Sequence, residues 1–232
     1  MEKFRIENGE LIFPQGITKV DKNIFRNDKG GDYAFEREAV TTVFIPESVT
    51  EIGQQAFDGF KNLKKLSIAN SVKSIGDVAF RDCISLKELF IPVSVETIAE
   101  DAFFCCSALE SIIVEEGNPN YDSRNDCNAI IETATRKLIQ GCNNSIIPST
   151  VEAISHSAFM NCASLEEIDI PNSVQSIGDA AFWGCSNLKT LRINNSHVQI
   201  GMQAFYDTPH ADKNPIYISK REQRGKKSGW YQ

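Results

Sequence analysis

The chain has 232 residues, 41% hydrophobic and 24% charged, close to the averages of a folded globular protein, which excludes wholesale disorder and a collagen-like composition. Its formal charge of -7, from 24 Lys and Arg against 31 Asp and Glu, argues against generic nucleic-acid binding, because phosphate contacts need a basic surplus. No window approaches the ~18 consecutive apolar residues of a membrane-spanning helix, so membrane insertion is not expected. The opening MEKFRIENGE has charges where a secretory signal has its apolar core, so any export signal is expected to be absent or already removed.

The first apolar segment, LIFPQGITKVDKNIF, runs from Leu11 to Phe25 and is a degenerate form of a unit that then recurs. SVTEIGQQAFDGF returns as SVKSIGDVAFRDC, SVETIAEDAFFCC, TVEAISHSAFMNC and SVQSIGDAAFWGC. Phe57, Phe80 and Phe103 are spaced by 23, as are Phe159, Phe182 and Phe205; the gap of 56 between Phe103 and Phe159 is one repeat plus 33 inserted residues. The unit reads L-x-x-L/I-x-I-P-x-S-V-x-x-I-G-x-x-A-F-x-x-C.

Each column has a physical reading. Leu86, Leu89 and Ile91, like Leu165, Ile168 and Ile170, end in the alternation of a short strand with one buried face. Pro46, Pro92, Pro148 and Pro171 follow at once and stop it, since proline has no N–H and a fixed φ. The glycine column (Gly53, Gly76, Gly178, Gly201) also holds Ala99 and Ser155, which argues that it does not demand positive φ. The Ala-Phe pair is expected on a helical turn, with the alanines keeping coils close and the phenylalanines stacked. A unit of this kind cannot bury its apolar face alone, so successive units must stack. The expected fold is an α/β repeat solenoid: a right-handed coil stack of about eight turns, with short parallel strands and helical or irregular outer turns. At ~4.8 Å per coil it would be roughly 40 Å long.

The whole chain, 1–232, reads as a single domain. Residues 1–40 form a degenerate repeat or cap, 41–115 regular repeats, 116–147 an inserted variant repeat, 148–206 regular repeats, and 207–232 a cap with a basic tail. From Lys213 onward six basic residues face one acid, Glu222, giving +5 against -12 for the remainder. A solvated end is the favoured reading of that tail.

Seven cysteines cannot all pair within one chain. Cys83, Cys106, Cys162 and Cys185 share a column with Phe60 and Thr208, which suggests buried small hydrophobes and reduced thiols.

The motif, from about Leu11 to Phe205, resembles the BspA-like, or treponemal-type, leucine-rich repeat family. The insert, beginning at Asn118-Pro119-Asn120-Tyr121, is similar to a variant repeat of that family, and the end through Gly229-Trp230 to its terminal cap. The resemblance implies a secreted or cell-surface bacterial protein that binds host proteins or other cells. Because the sequence opens without a recognisable signal peptide, a cytoplasmic location is the alternative expectation.

Two surfaces stand out as candidate sites. On the outward columns of the strand face, Phe44, Phe90 and Ile113 are apolar where alternation predicts polar, beside Lys65, Asp169 and Arg192. Either the insert or N-terminal segment folds over the apolar three, or the face is a partner-binding patch. A second stripe, one residue after the repeat Phe, holds Phe104, Met160, Trp183 and Tyr206, after Asp58 and Arg81. Packing between coils is the favoured role, with an aromatic contact stripe as the other.

Signatures of catalysis are missing. Three histidines are a thin supply, and His197 falls in a valine column, where partial burial is expected. No H-E-x-x-H, C-x-x-C, G-x-S-x-G, P-loop or G-x-G-x-x-G pattern occurs. The insert's Glu115, Glu116, Asp122 and Asp126 do not fit the calcium-loop template, since Cys127 and Thr133 occupy its Gly and Glu positions. The expectation is a non-enzymatic, monomeric protein-binding module without cofactor or metal; a self-associating segment of a larger surface assembly is the alternative.

Overall fold

A computed structural model describes residues 4–22, 34–210 and 217–218. Each regular coil contributes one strand to each of two parallel stacks. The face strands include Thr42–Phe44, Lys65–Ser67, Glu88–Ile91, Ser111–Val114, Glu167–Ile170 and Thr190–Ile193. The edge strands include Glu51–Ile52, Ser74–Ile75, Thr97–Ile98, Ala153–Ile154, Ser176–Ile177 and Gln199–Ile200. Pairing is offset by one repeat, with Val43 opposite Leu66, Ile52 opposite Ile75 and Ile168 opposite Leu191. Strict alternation of exposed and buried residues in Glu88–Ile91 and Glu167–Ile170 turns one side of each strand into the core. At the N-terminal end the hairpin Arg5–Glu7 and Glu10–Ile12 joins Thr42–Phe44 and extends this face. The solenoid rises through about seven turns with little helix. Phe25, Trp230 and the tail from Lys213, apart from the strand Tyr217–Ile218 that pairs in parallel with Thr190–Ile193, lie outside the described residues.

Of the two forms expected for the outer turns, the irregular one is found. The N–H groups of Gln55, Phe57 and Gly59 donate forward to the carbonyls of Asp77, Ala79 and Arg81 in the next coil. Ala180, Phe182 and Gly184 do the same toward Met202, Ala204 and Tyr206. Left-handed residues two places before and after the phenylalanine, such as Gln55 and Gly59 or Ala180 and Gly184, aim these groups along the stack. A helix would spend the same N–H groups on its own carbonyls four residues back. The Ala-Phe segment is therefore not helical; it forms a third ladder between coils.

Inside, Phe57, Phe80 and Phe103 stack at 5.1 and 5.3 Å, and Phe159, Phe182 and Phe205 at 4.7 and 5.3 Å. All seven cysteines are free. The thiols of Cys83, Cys106 and Cys185 donate to the carbonyls of Phe57, Phe80 and Phe159 one coil earlier, so this column is a hydrogen-bonding one as well as a buried one. The serine before the repeat valine has a matching role: Ser71 and Ser94 donate to the carbonyls of Val49 and Val72. The glycine column is set by close approach. A Cβ on Gly178 would sit 2.4 Å from the His156 nitrogen, and one on Gly76 2.8 Å from that of Gln54.

The insert lies within the stack. Tyr121–Asp122, Ile130–Glu132 and Lys137–Gln140 pair antiparallel, and the last then pairs in parallel with Ala153–Ile154. Ile130 and Ile139 join the apolar core of the N-terminal half, while Ile131 and Leu138 join that of the C-terminal half. The hairpin is thus a layer shared by two cores. Gly141 replaces the repeat phenylalanine: its N–H donates to the Ala158 carbonyl, as Phe159 donates to Ala181, and a Cβ there would lie 2.1 Å from the Phe159 ring.

Candidate binding face

Phe44, Phe90 and Ile113 project from one outward column of the face strands and are 38, 47 and 51% exposed. Phe90 lies directly opposite Ile113, and Phe44 opposite Ser67. Neither the insert nor the described part of the N-terminal segment covers them. The Lys65 ammonium stands 5.0 Å from the centre of the Phe44 ring, a cation–π contact that orders the edge of this patch. The parallel pairing of their strands fixes the spacing of Phe90 and Ile113, while Phe44 belongs to the neighbouring four-stranded sheet.

Asp169 and Arg192, the remaining face candidates, lie opposite each other on adjacent strands of the C-terminal half, away from the apolar three. Asp169 also accepts the side-chain amide of Asn194. Among the described residues the face is interrupted twice: Lys65–Ser67 does not pair with Glu88–Ile91, and between the two halves Ser111–Val114 pairs only with Glu88–Ile91 and Glu167–Ile170 only with Thr190–Ile193. The intervening coil, residues 143–149, is not a strand. Its buried Asn143 donates to the carbonyls of Ser107 and Leu109, both at 2.9 Å, and accepts the Ser164 N–H at 3.0 Å. A groove of about 670 Å³ opens beside it, with Ile146, Glu166, Glu167, Asp169 and Arg192 in its walls. Sequence reasoning missed this groove. Its one legible signal is the loss of the L-x-x-L strand pattern between Gln140 and Pro148.

The second stripe joins coil to coil. Arg81 makes a bidentate pair with Asp58, both contacts at 2.7 Å, which raises the guanidinium pKa further. Trp183 and Tyr206 meet at 4.5 Å with their rings tilted by 41°. Phe104, Met160 and Trp183 are half-buried and Tyr206 is exposed.

A polar cluster unforeseen in the sequence spans the seam. Glu100 accepts from Lys137 at 2.6 Å and Ser155 at 2.8 Å, and His156 lies 2.9 Å from Glu100 and 2.8 Å from Asp101. The Lys137 ammonium holds the Glu100 carboxyl below the usual carboxylate range. In the insert, burial pushes the Asp122 carboxyl up, but bonds from Arg124 and Thr133 outweigh it and its pKa falls. Among the described residues no three His, Cys, Asp or Glu side chains are grouped to hold a metal ion. His197 is exposed and Val198 takes the buried place, a one-residue shift from the expected column, with the His197 N–H held by the Asn195 side chain.

Stacked parallel strands, an aliphatic interior with a phenylalanine ladder and one repeating turn per coil define a leucine-rich-repeat solenoid. A family model described as "BspA type Leucine rich repeat region" matches six copies over residues 28–135 and 137–217, and the chain belongs to that family. Similar solved structures include a leucine-rich repeat protein from Eubacterium ventriosum, at 23% identity over 84% of this chain and 64% of that one, with a TM-score of 0.51. The pneumococcal vaccine antigen PcpA is similar at 22% identity over 83% of this chain and 58% of that one, with a TM-score of 0.59. A leucine-rich repeat protein from T. pallidum shares 22% identity over 88% of this chain and 73% of that one, with a TM-score of 0.46. The chain spans less than two thirds of the length of the first two, and the likeness at these identities is one of fold. No curated protein matches. Among the described residues no helix is long and apolar enough to cross a membrane.

Proposed function

We propose that the chain is a non-enzymatic, monomeric protein-binding module of a bacterial surface, adhesin-like in action, that engages host or cell-surface macromolecules through Phe44, Lys65, Phe90 and Ile113. The exposed apolar column along the strand face, with Phe90 and Ile113 on paired strands, supports this reading most directly. Clustered exposed apolar residues on a folded surface are unusual outside binding sites. The solenoid holds them in place in advance, which lowers the entropy cost of association. Asp169 and Arg192 would extend the contact into the C-terminal half, and the Trp183–Tyr206 stripe would serve packing between coils. A surface location is supported by the likeness to PcpA, which is a vaccine antigen.

The test is a binding screen against extracellular matrix proteins and surface glycans, run with the native chain and with a Phe44→Ser, Phe90→Ser, Ile113→Ser variant checked for an unchanged fold. Saturable binding that falls at least tenfold in the variant is expected. Full binding by the variant would refute this face, and concentration-dependent self-association without other binding would favour a surface-array segment.

A further inference from the structure

The interruption between the two halves leaves a strand edge open. In a parallel pair, alternate residues of a strand bond to one neighbour. Thr190 donates to the Glu166 carbonyl and Asn194 to the Ile170 carbonyl, so Ile168 and Ile170 turn their main-chain groups toward Thr190–Ile193. The N–H and C=O groups of Glu167 and Asp169 therefore point the other way, into the groove. Arg192, the counterpart of Asp169 in the next coil, has a strand on that side. Asp169 has only the irregular coil 143–149, which forms no strand and has three main-chain groups engaged elsewhere. The Ser145 N–H donates to Cys142 and that of Ile146 to Cys127, while the Asn144 carbonyl accepts from Asn128.

We propose that this edge receives an extended basic segment of a partner protein as an added strand, at a site distinct from the apolar column. The groove, about 670 Å³, falls within the ~300–1,000 Å³ typical of ligand sites. Open strand edges pair with whatever complementary strand arrives unless their side chains forbid it. Here Glu167 and Asp169 forbid a second copy of the same edge, because like charges directly opposite are destabilising. Glu166 is already paired with Lys189 at 3.2 Å, and Glu167 has no ion pair among the described residues. A strand with Lys or Arg at every second position sets its cations against Glu167 and Asp169, themselves two residues apart. Its intervening apolar side chains then turn toward Ile146, which is 66% exposed in the groove wall.

The probe is the capped hexapeptide Lys-Val-Lys-Val-Lys-Val, titrated into the full chain while amide exchange is followed by NMR. Expected results are saturable binding and at least tenfold slower exchange at Glu167 and Asp169 in the complex. An E167K/D169N variant should bind at least tenfold more weakly, while the Phe44/Phe90/Ile113 serine variant binds normally, so this site and the apolar face stand or fall separately. Absence of binding, binding with unchanged exchange at the two amides, or equal binding of a Glu-Val-Glu-Val-Glu-Val peptide would each overturn the proposal.

Discussion

The regular coils and the inserted coil solve the same stacking problem with different atoms. In the regular coils the main chain does most of the joining, through two stacks of strands and the turn ladder from Phe57 to Ala79 and onward. In the insert, side chains stand in for the missing backbone. Tyr121 accepts the Ile98 N–H through its hydroxyl at 2.8 Å, and Asn120 donates to the Glu96 carbonyl at 2.8 Å. Asn118 donates to the carbonyls of Pro92 and Val95, taking the role that Ser94 plays toward Val72. A coil joined by its main chain leaves outward side chains free to vary and therefore to bind. The inserted coil commits its side chains to structure and breaks the face sheet.

That contrast can be broken or sharpened by substitution. Phe80→Ala, in the middle of a ladder, should cost about 3–5 kcal/mol, a large share of a typical 5–15 kcal/mol, as measured by urea unfolding. A loss under ~1 kcal/mol would mean that the ring ladder is dispensable. Gly141→Ala should cost about 1–3 kcal/mol through overpacking, because the ring it meets is buried and stacked on Phe182 at 4.7 Å. Tyr121→Phe keeps the ring but leaves the Ile98 N–H without its acceptor; about 1–3 kcal/mol is expected. Asn62→Ala in a regular coil removes only the exposed bond to the Glu38 carbonyl and should stay within ~0.5 kcal/mol. Equal effects at the last two positions would erase the distinction between the regions.

The gentlest perturbation is pH, which acts on both regions. Burial pushes the thiols of Cys105 and Cys127 up to about 11 and that of Cys185 up to about 12. A thiol with a raised folded pKa contributes its stability below the unfolded value of ~8.5 and loses it as pH climbs through the folded one. The thiol contribution to unfolding free energy should thus hold from about pH 7 to ~8.5 and then decline toward pH ~12. Unfolding free energy that rises with pH across that upper interval would contradict this assignment.

Much of the fold was legible because burial repeats with the sequence. A phenylalanine every 23 residues has one explanation when proline, glycine and cysteine keep the same phase. The apolar face column was legible too, since Phe44, Phe90 and Ile113 break a period-2 pattern. What escaped depends on neighbours outside the local segment. The outer turns looked helical because Ala-Phe suits a helix, yet their N–H groups find acceptors one coil away. The cysteine column looked merely apolar, although Thr208 in the same column hinted at a donor, and its hydroxyl does donate to the Phe205 carbonyl. The groove and the cluster of Glu100, Lys137 and His156 assemble from segments tens of residues apart, where no spacing rule applies.

The central claim is that the insert substitutes side chains for a coil's backbone and so interrupts the face sheet. Amide hydrogen exchange of the free protein, read residue by residue along Glu167–Ile170, tests it most directly. Fast exchange at Glu167 and Asp169 beside protected Ile168 and Ile170 is the predicted result. Equal protection at all four would mean that the sheet continues across the insert, and the account would be wrong.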